Sequence, residues 1–201
     1  MLSFTDFIKY KTLKEAFGSK AVVFAFGRFN PVTQGHKKLM DIMVQEANKR
    51  NCAAMLFLSH SQDSKKNPLP YQDKIRFVRA AAPSRLSVVE SPARSVFDAL
   101  GSLGSLGYTT VYFIAGDDRS GEYAKFQKYK SDLGIENIEI VSSGARGTGA
   151  DLSNVENVSA TKLRELAALG KEEEFIKFSA LADKPQEAKK MYLATRKGLG
   201  L

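Results

Sequence analysis

Cysteine is almost missing from this 201-residue chain: Cys52 is the only one. No disulfide can therefore form within it, and in its apolar stretch Cys52 reads as a small buried hydrophobe in a reducing compartment. Histidine is nearly as scarce. With only His36 and His60, no zinc site can be assembled, and no metal ligands are expected from the protein. Nothing approaches the run of ~20 apolar residues that spans a bilayer. The start of the chain has no basic segment leading into an apolar one, so neither anchor nor secretion signal is expected. Two phosphate-binding templates fail as well, since there is no G-x-x-x-x-G-K-[ST] and no G-x-G-x-x-G. Repeats and low-complexity tracts are absent. Acidic residues are in deficit, with 22 Asp and Glu against 30 Lys and Arg, which leaves a formal charge of +8. That excess favours anionic partners without choosing between nucleotides, nucleic acid and an acidic protein surface. A soluble, cytoplasmic protein is expected.

What is present has the periodicity of alternating strands and helices. The length suits one α/β core, so a single domain over 19–201 is expected, preceded by an amphipathic segment over 1–18. In that segment Phe4, Phe7 and Ile8 fall at helical spacing before Gly18; its apolar face could cover a sheet edge or dock on a partner. Ala21 to Phe26 is short, apolar and rich in β-branched and aromatic residues, the pattern of a strand buried on both faces. Gly27 to His36 follows, and a helix should start near Thr33 or Gln34, with Leu39, Met40, Ile42, Met43, Val44 and Ala47 on its apolar side. A helix start offers unpaired N–H groups to an anion, and Gly27 and Gly35 would let a phosphate approach the backbone.

Further strands are expected over 52–58, 86–89, 109–115 and 136–141, the last alternating as an edge strand does, with helices over 71–82 and 94–106. Three polar stretches leave the carboxyl ends of strands, where open α/β sheets bind ligands. Ser59 to Pro70 carries Lys65, Lys66 and Asn67 and reads either as a substrate loop or as a solvated linker. Gly116-Asp117-Asp118 reads as a ligand turn or a helix cap. Ser142 to Asn157, with Gly144, Gly147 and Gly149, reads as a covering loop or surface slack. Past Glu165 the chain is helical and lysine-rich; the apolar spacing of Phe175, Ile176, Phe178, Leu181, Met191, Tyr192 and Leu193 makes packing, rather than RNA contact, the expected role.

The stretch Gly27-Arg28-Phe29-Asn30-Pro31-Val32-Thr33-Gln34-Gly35-His36 resembles the G-x-[FT]-[DN]-P-x-[TH]-x-G-H signature of the nucleotidyltransferase superfamily. Val158-Ser159-Ala160-Thr161-Lys162-Leu163-Arg164 resembles the I-S-S-T-x-x-R element of the same superfamily, with Ala160 in place of the second serine. Gly27-Arg28-Phe29 and Asn67-Pro68-Leu69 are similar to the nicotinamide-nucleotide adenylyltransferase branch, including a phage type, whereas Thr33 is similar to the pantetheine-phosphate branch. Asn30 stands where many relatives carry Asp, and no tryptophan exists to stack a nicotinamide ring, so Phe or Tyr would have to replace it.

The resemblance implies a doubly wound, Rossmann-like α/β fold with a parallel sheet in the order 3-2-1-4-5, an N-terminal helix and C-terminal helices. It implies transfer of a nucleoside monophosphate, AMP from ATP, to a phosphorylated acceptor with loss of pyrophosphate. Nicotinamide mononucleotide is the leading acceptor. Pantetheine-phosphate or cytidylyl transfer, and a non-catalytic nucleotide-binding protein of this fold, are the alternatives. His36, Thr33, Arg28 and Arg164 are the expected catalytic residues. Gly27, Phe29, Asn30, Gly35, Gly116, Asp117, Asp118, Val158, Ser159 and Thr161 are expected at the nucleotide, and Ser59, Lys66 and Asn67 at the acceptor. Mg²⁺ is expected with the triphosphate. Neither membrane nor nucleic acid is an expected partner; a partner protein could dock on the N-terminal helix.

Overall fold

A computed structural model describes residues 8, 12, 19–116, 125–144 and 158–201. The expected N-terminal segment lies outside the described residues except for helical Ile8 and Thr12, where the Thr12 hydroxyl donates to the Ile8 carbonyl at 2.9 Å. Asp117, Asp118 and most of the glycine-bearing stretch after Ser142 also lie outside them.

Five strands form one sheet: β1 (Ala21–Gly27), β2 (Ala53–Leu58), β3 (Leu86–Val89), β4 (Thr110–Ala115) and β5 (Asn137–Ser142). Every pairing is parallel and the order is β3-β2-β1-β4-β5, the doubly wound arrangement expected. Six α-helices accompany the sheet among the described residues: α1 (Gln34–Lys49), α2 (Tyr71–Ala81), α3 (Val96–Ser105), α4 (Ala160–Ala168), α5 (Glu172–Phe178) and α6 (Pro185–Gly198). A 3₁₀ turn covers Lys125–Tyr129.

The chain divides into two compact units. The first comprises Met1–Gly27, Met40–Ser59 and Pro83–Ala145, and so holds the whole sheet. β2 is buried at every position, which is why it reads as an uninterrupted apolar run, and the central β1 is buried from Val22 to Ala25. Phe24 stands at their centre, with its ring centroid 5.5 Å from that of Phe57 on β2 and 4.9 Å from that of Phe113 on β4. Each such buried aromatic contributes about 2–3 kcal/mol of burial free energy. α3 adds Ala99, Leu100 and Leu103 to this core. Phe97 on the same helix is 41% exposed and packs edge-on against Tyr129. Gly104 is required where it stands, because a Cβ there would lie 1.7 Å from the Leu133 carbonyl oxygen.

The second unit comprises Arg28–Leu39, His60–Ala82 and Arg146–Leu201. α4, α5 and α6 bury Leu163, Leu166, Phe175, Phe178, Met191 and Tyr192. Both signature stretches, from Arg28 and from Val158 onward, belong to this unit.

Candidate active site

β1 ends at Gly27, and Arg28 begins the loop that leads to α1. Phe29 takes a left-handed backbone conformation, φ 47°, which costs a non-glycine residue about 1–2 kcal/mol. Its buried ring lies with its centroid 4.4 Å from that of His36, which offsets part of that cost. Asn30 is 1% exposed, and its amide reads the backbone of Leu69 in both directions: Nδ2 donates to the Leu69 carbonyl at 3.1 Å and Oδ1 accepts from the Leu69 N–H at 2.9 Å. An Asp here could accept but not donate, which accounts for Asn at this position in this chain.

Thr33 is the N-cap of α1, its carbonyl accepting from the Lys37 N–H at 3.0 Å. Its hydroxyl accepts from the His36 N–H at 3.3 Å, and in return His36 Nδ1 accepts from the Thr33 N–H at 3.0 Å. Thr33 and His36 thus close a capping box in which imidazole replaces the usual Glu or Gln. The Thr33 hydroxyl also lies 3.0 Å from Nδ1. An Nδ1 that accepts a backbone N–H has no proton of its own, so the neutral ring carries its proton on Nε2, as a donor.

Ser159 caps α4, its side chain accepting from the Lys162 N–H at 3.2 Å. One turn on, the Arg164 guanidinium donates through Nη1 to the Asn30 carbonyl at 2.8 Å and through Nη2 to Thr161 Oγ1 at 2.8 Å. Arg164 therefore joins the two signature stretches directly. Burial lowers its pKa, and the neighbouring positive charge of Arg28 lowers it further, opposed only by the weaker pull of Asp63 and Glu165. Arg28 itself is exposed. Two guanidiniums that repel one another form a site whose electrostatics an anion would improve.

In the loop after β2, the Asp63 carboxylate accepts from the Lys65 and Lys66 N–H groups, at 2.9 and 2.6 Å, and from Asn67 Nδ2 at 2.6 Å. These bonds hold its pKa well below the usual carboxylate range. Asn67 is buried, and its Oδ1 has no hydrogen-bond partner among the described residues. The Lys66 side chain is exposed. His60 and Tyr71 stack with centroids 3.8 Å apart and planes 14° from parallel. Lys74 on α2 is fully buried, and its ammonium donates to the Ser61 carbonyl at 3.1 Å.

The expected site residues thus divide. Arg28, Phe29, Asn30, Thr33, Gly35, His36, Lys66, Asn67, Val158, Ser159, Thr161 and Arg164 lie in the second unit. Gly27, Ser59 and Gly116 lie in the first, at the carboxyl ends of β1, β2 and β4, and the Ser59 N–H donates to the Gly27 carbonyl at 2.9 Å. Sequence reasoning missed Asp63, Leu69, the His60–Tyr71 stack and Lys74. Only the first had a local signal, since an Asp followed by polar residues commonly closes an Asx turn.

The parallel sheet of this order, flanked by helices, defines a doubly wound, Rossmann-like α/β protein. The cytidylyltransferase-like family model matches residues 24–166, and the chain belongs to that family, which supports nucleotidyltransferase activity in general. No curated protein matches. Among solved structures, the macrolide-efflux protein from Streptococcus pneumoniae is similar over 80% of this chain and 55% of its own, at 16% identity and a TM-score of 0.47. The chain therefore spans about half the length of that structure.

Proposed function

We propose that the protein transfers AMP from ATP to the phosphate of a small acceptor, nicotinamide mononucleotide before others, and releases pyrophosphate. The observation that carries this reading is Arg164 of the second signature bonded to the Asn30 carbonyl of the first, in the same unit as the Thr33–His36 capping box. In the reaction an acceptor phosphate oxygen forms a bond to the α-phosphorus. The bond from that phosphorus to the α–β bridging oxygen breaks, and pyrophosphate leaves with the electron pair. No covalent nucleophile is needed, so catalysis is positioning and charge neutralisation. His36 Nε2–H is the donor suited to the oxygens between the α- and β-phosphorus, Thr33 fixes the ring, and Arg28 and Arg164 suit the β and γ oxygens.

Among the described residues, no group of three or more His, Cys, Asp or Glu could hold a metal ion. Mg²⁺ belongs to this reading as part of the triphosphate substrate, held by its phosphate oxygens and water. With no tryptophan in the chain, the Tyr71–His60 stack is the aromatic surface beside the acceptor loop. Asn67 and Lys66 complete that side. Among the described residues no helix is long and apolar enough to cross a membrane. The buried free thiol of Cys52, its pKa raised by burial, suits the cytoplasm that this reading implies.

A second reading, a nucleotide-binding protein without turnover, is favoured by one observation: His36 and Arg164 already serve as a helix cap and a bridge between loops. The two separate on a panel in which ATP and CTP are each paired with nicotinamide mononucleotide, nicotinate mononucleotide, phosphopantetheine and glycerol phosphate. Pyrophosphate release with ATP and a pyridine mononucleotide is the expected result. Release only with CTP or phosphopantetheine overturns the substrates, and ATP binding without release anywhere favours the second reading.

A further inference from the structure

The family match ends at residue 166, yet the loop bearing Arg28 to His36 is gripped by residues that lie beyond it. Between α5 and α6, Ser179 forms an isolated antiparallel bridge with Thr33, and the Ala180 N–H donates to the Val32 carbonyl at 3.3 Å. Gln34 Nε2 donates to the Ser179 carbonyl at 2.7 Å. Ser179 is fully buried and shaped by its own hydroxyl, which donates to the Ile176 carbonyl at 2.9 Å and accepts from the Leu181 N–H at 3.2 Å. The end of α6 supplies a second contact. A Cβ on Gly198 would lie 2.0 Å from the carbonyl oxygen of Pro68, so the helix backbone abuts that turn directly. The next residue, Leu69, is the one that Asn30 holds by two hydrogen bonds, and the Asn30 carbonyl in turn accepts from Arg164.

We infer that the C-terminal segment is a working part of the nucleotide site, with Gln34, Ser179 and Gly198 as positioning residues that set Thr33, His36 and Arg164 against the triphosphate. The inference rests on the nucleotidyl-transfer reading and adds to it a brace that the family signature does not contain. Gln34 occupies a position that the signature leaves open. Its contact is specific to what this chain carries after residue 166. Removing one hold on the capping box lets the His36 ring shift, and a displacement of about 1 Å at a reacting centre costs up to ~100-fold in rate.

The test uses the full chain with Gln34→Met, which keeps length and loses the donor, and Gly198→Ala, which drives a methyl into Pro68. Amide hydrogen exchange over 32–37 and ATP affinity are measured well below the melting midpoint, with turnover alongside. Exchange at the Thr33 and His36 amides should quicken by roughly tenfold as local opening becomes easier, with weaker ATP binding and a kcat at least about tenfold lower. The KM for the acceptor should hold. A tail that merely stabilises the fold would lower the melting midpoint while leaving exchange at 32–37 and ATP affinity as in the wild type, and either of those staying unchanged overturns the inference. Should Gly198→Ala fail to fold, Gln34→Met decides alone. If the wild type neither binds ATP nor releases pyrophosphate, the functional reading falls, and exchange, which needs no substrate, still decides whether the brace holds the loop.

Discussion

The cap made by His36 and the role proposed for it can be separated by substitution. Its Nδ1 completes the cap of α1, and its Nε2 proton is the donor proposed for the phosphates. Replacing it by Ala removes both, at a cost of about 1 kcal/mol in stability for the lost cap. Gln keeps an acceptor that can reach the Thr33 N–H, as in an ordinary capping box, but offers no imidazole N–H. His36→Gln should therefore melt close to the wild type while kcat falls on the order of a hundredfold or more. An active His36→Gln enzyme would confine His36 to the cap. Arg164 divides in a similar way. Its two terminal nitrogens reach different acceptors, Asn30 and Thr161, and an ammonium cannot span both. Arg164→Lys should bind ATP at least about tenfold more weakly in a direct titration; unchanged affinity would remove Arg164 from the phosphate site.

At the scale of elements, the starts of α1, α3 and α4 were legible because caps are local. Ser95 and Asp98 at α3 form a reciprocal capping box, Ser159 caps α4, and Thr33 with His36 reproduces the arrangement at α1. Ser159→Ala should cost about 1 kcal/mol in denaturant unfolding. No measurable loss would mean that the exposed cap is replaced by water. The five strands were legible from apolar runs, and β5 from its alternation, because burial on one or both faces leaves that imprint. What the sequence could not disclose were contacts between distant segments: Asn30 with Leu69, Gln34 with Ser179, and the buried Lys74 of α2. The lysine-rich end follows the packing expectation, since Lys189 pairs with Glu172 and Lys190 with Glu187, although Leu193 remains 52% exposed. Lys74 makes a pH prediction. Burial lowers its pKa from 10.5 to about 8, so the folded state disfavours its charge by about 3 kcal/mol. The unfolded chain binds the proton more tightly, so this penalty is fully present below pH 8 and fades as pH rises from about 8 to 10.5. Stability of the wild type relative to Lys74→Met should rise across that window in denaturant titrations. A flat difference would show that the ammonium is better solvated than its burial indicates.

At the scale of the molecule, the sheet lies wholly in one compact unit, and the signature stretches, from Arg28 and from Val158 onward, lie in the other. The matched region begins within β1 and ends within α4, so it enters both units. The two signatures could be recognised separately in the sequence, but not the Arg164–Asn30 bond that joins them across 134 positions. The expected Gly116-Asp117-Asp118 turn stays a proposal, because its two aspartates lie outside the described residues. The central claim is that the α-phosphorus of the triphosphate changes partners while the β- and γ-phosphates leave together. The direct measurement is the fate of label in ATP incubated with the protein, Mg²⁺ and nicotinamide mononucleotide. α-Phosphate label should pass into a dinucleotide product and γ-phosphate label into pyrophosphate, in equal amounts, and His36→Gln should lose both. Release of γ label as orthophosphate, with the α label left in ADP, would contradict nucleotidyl transfer outright.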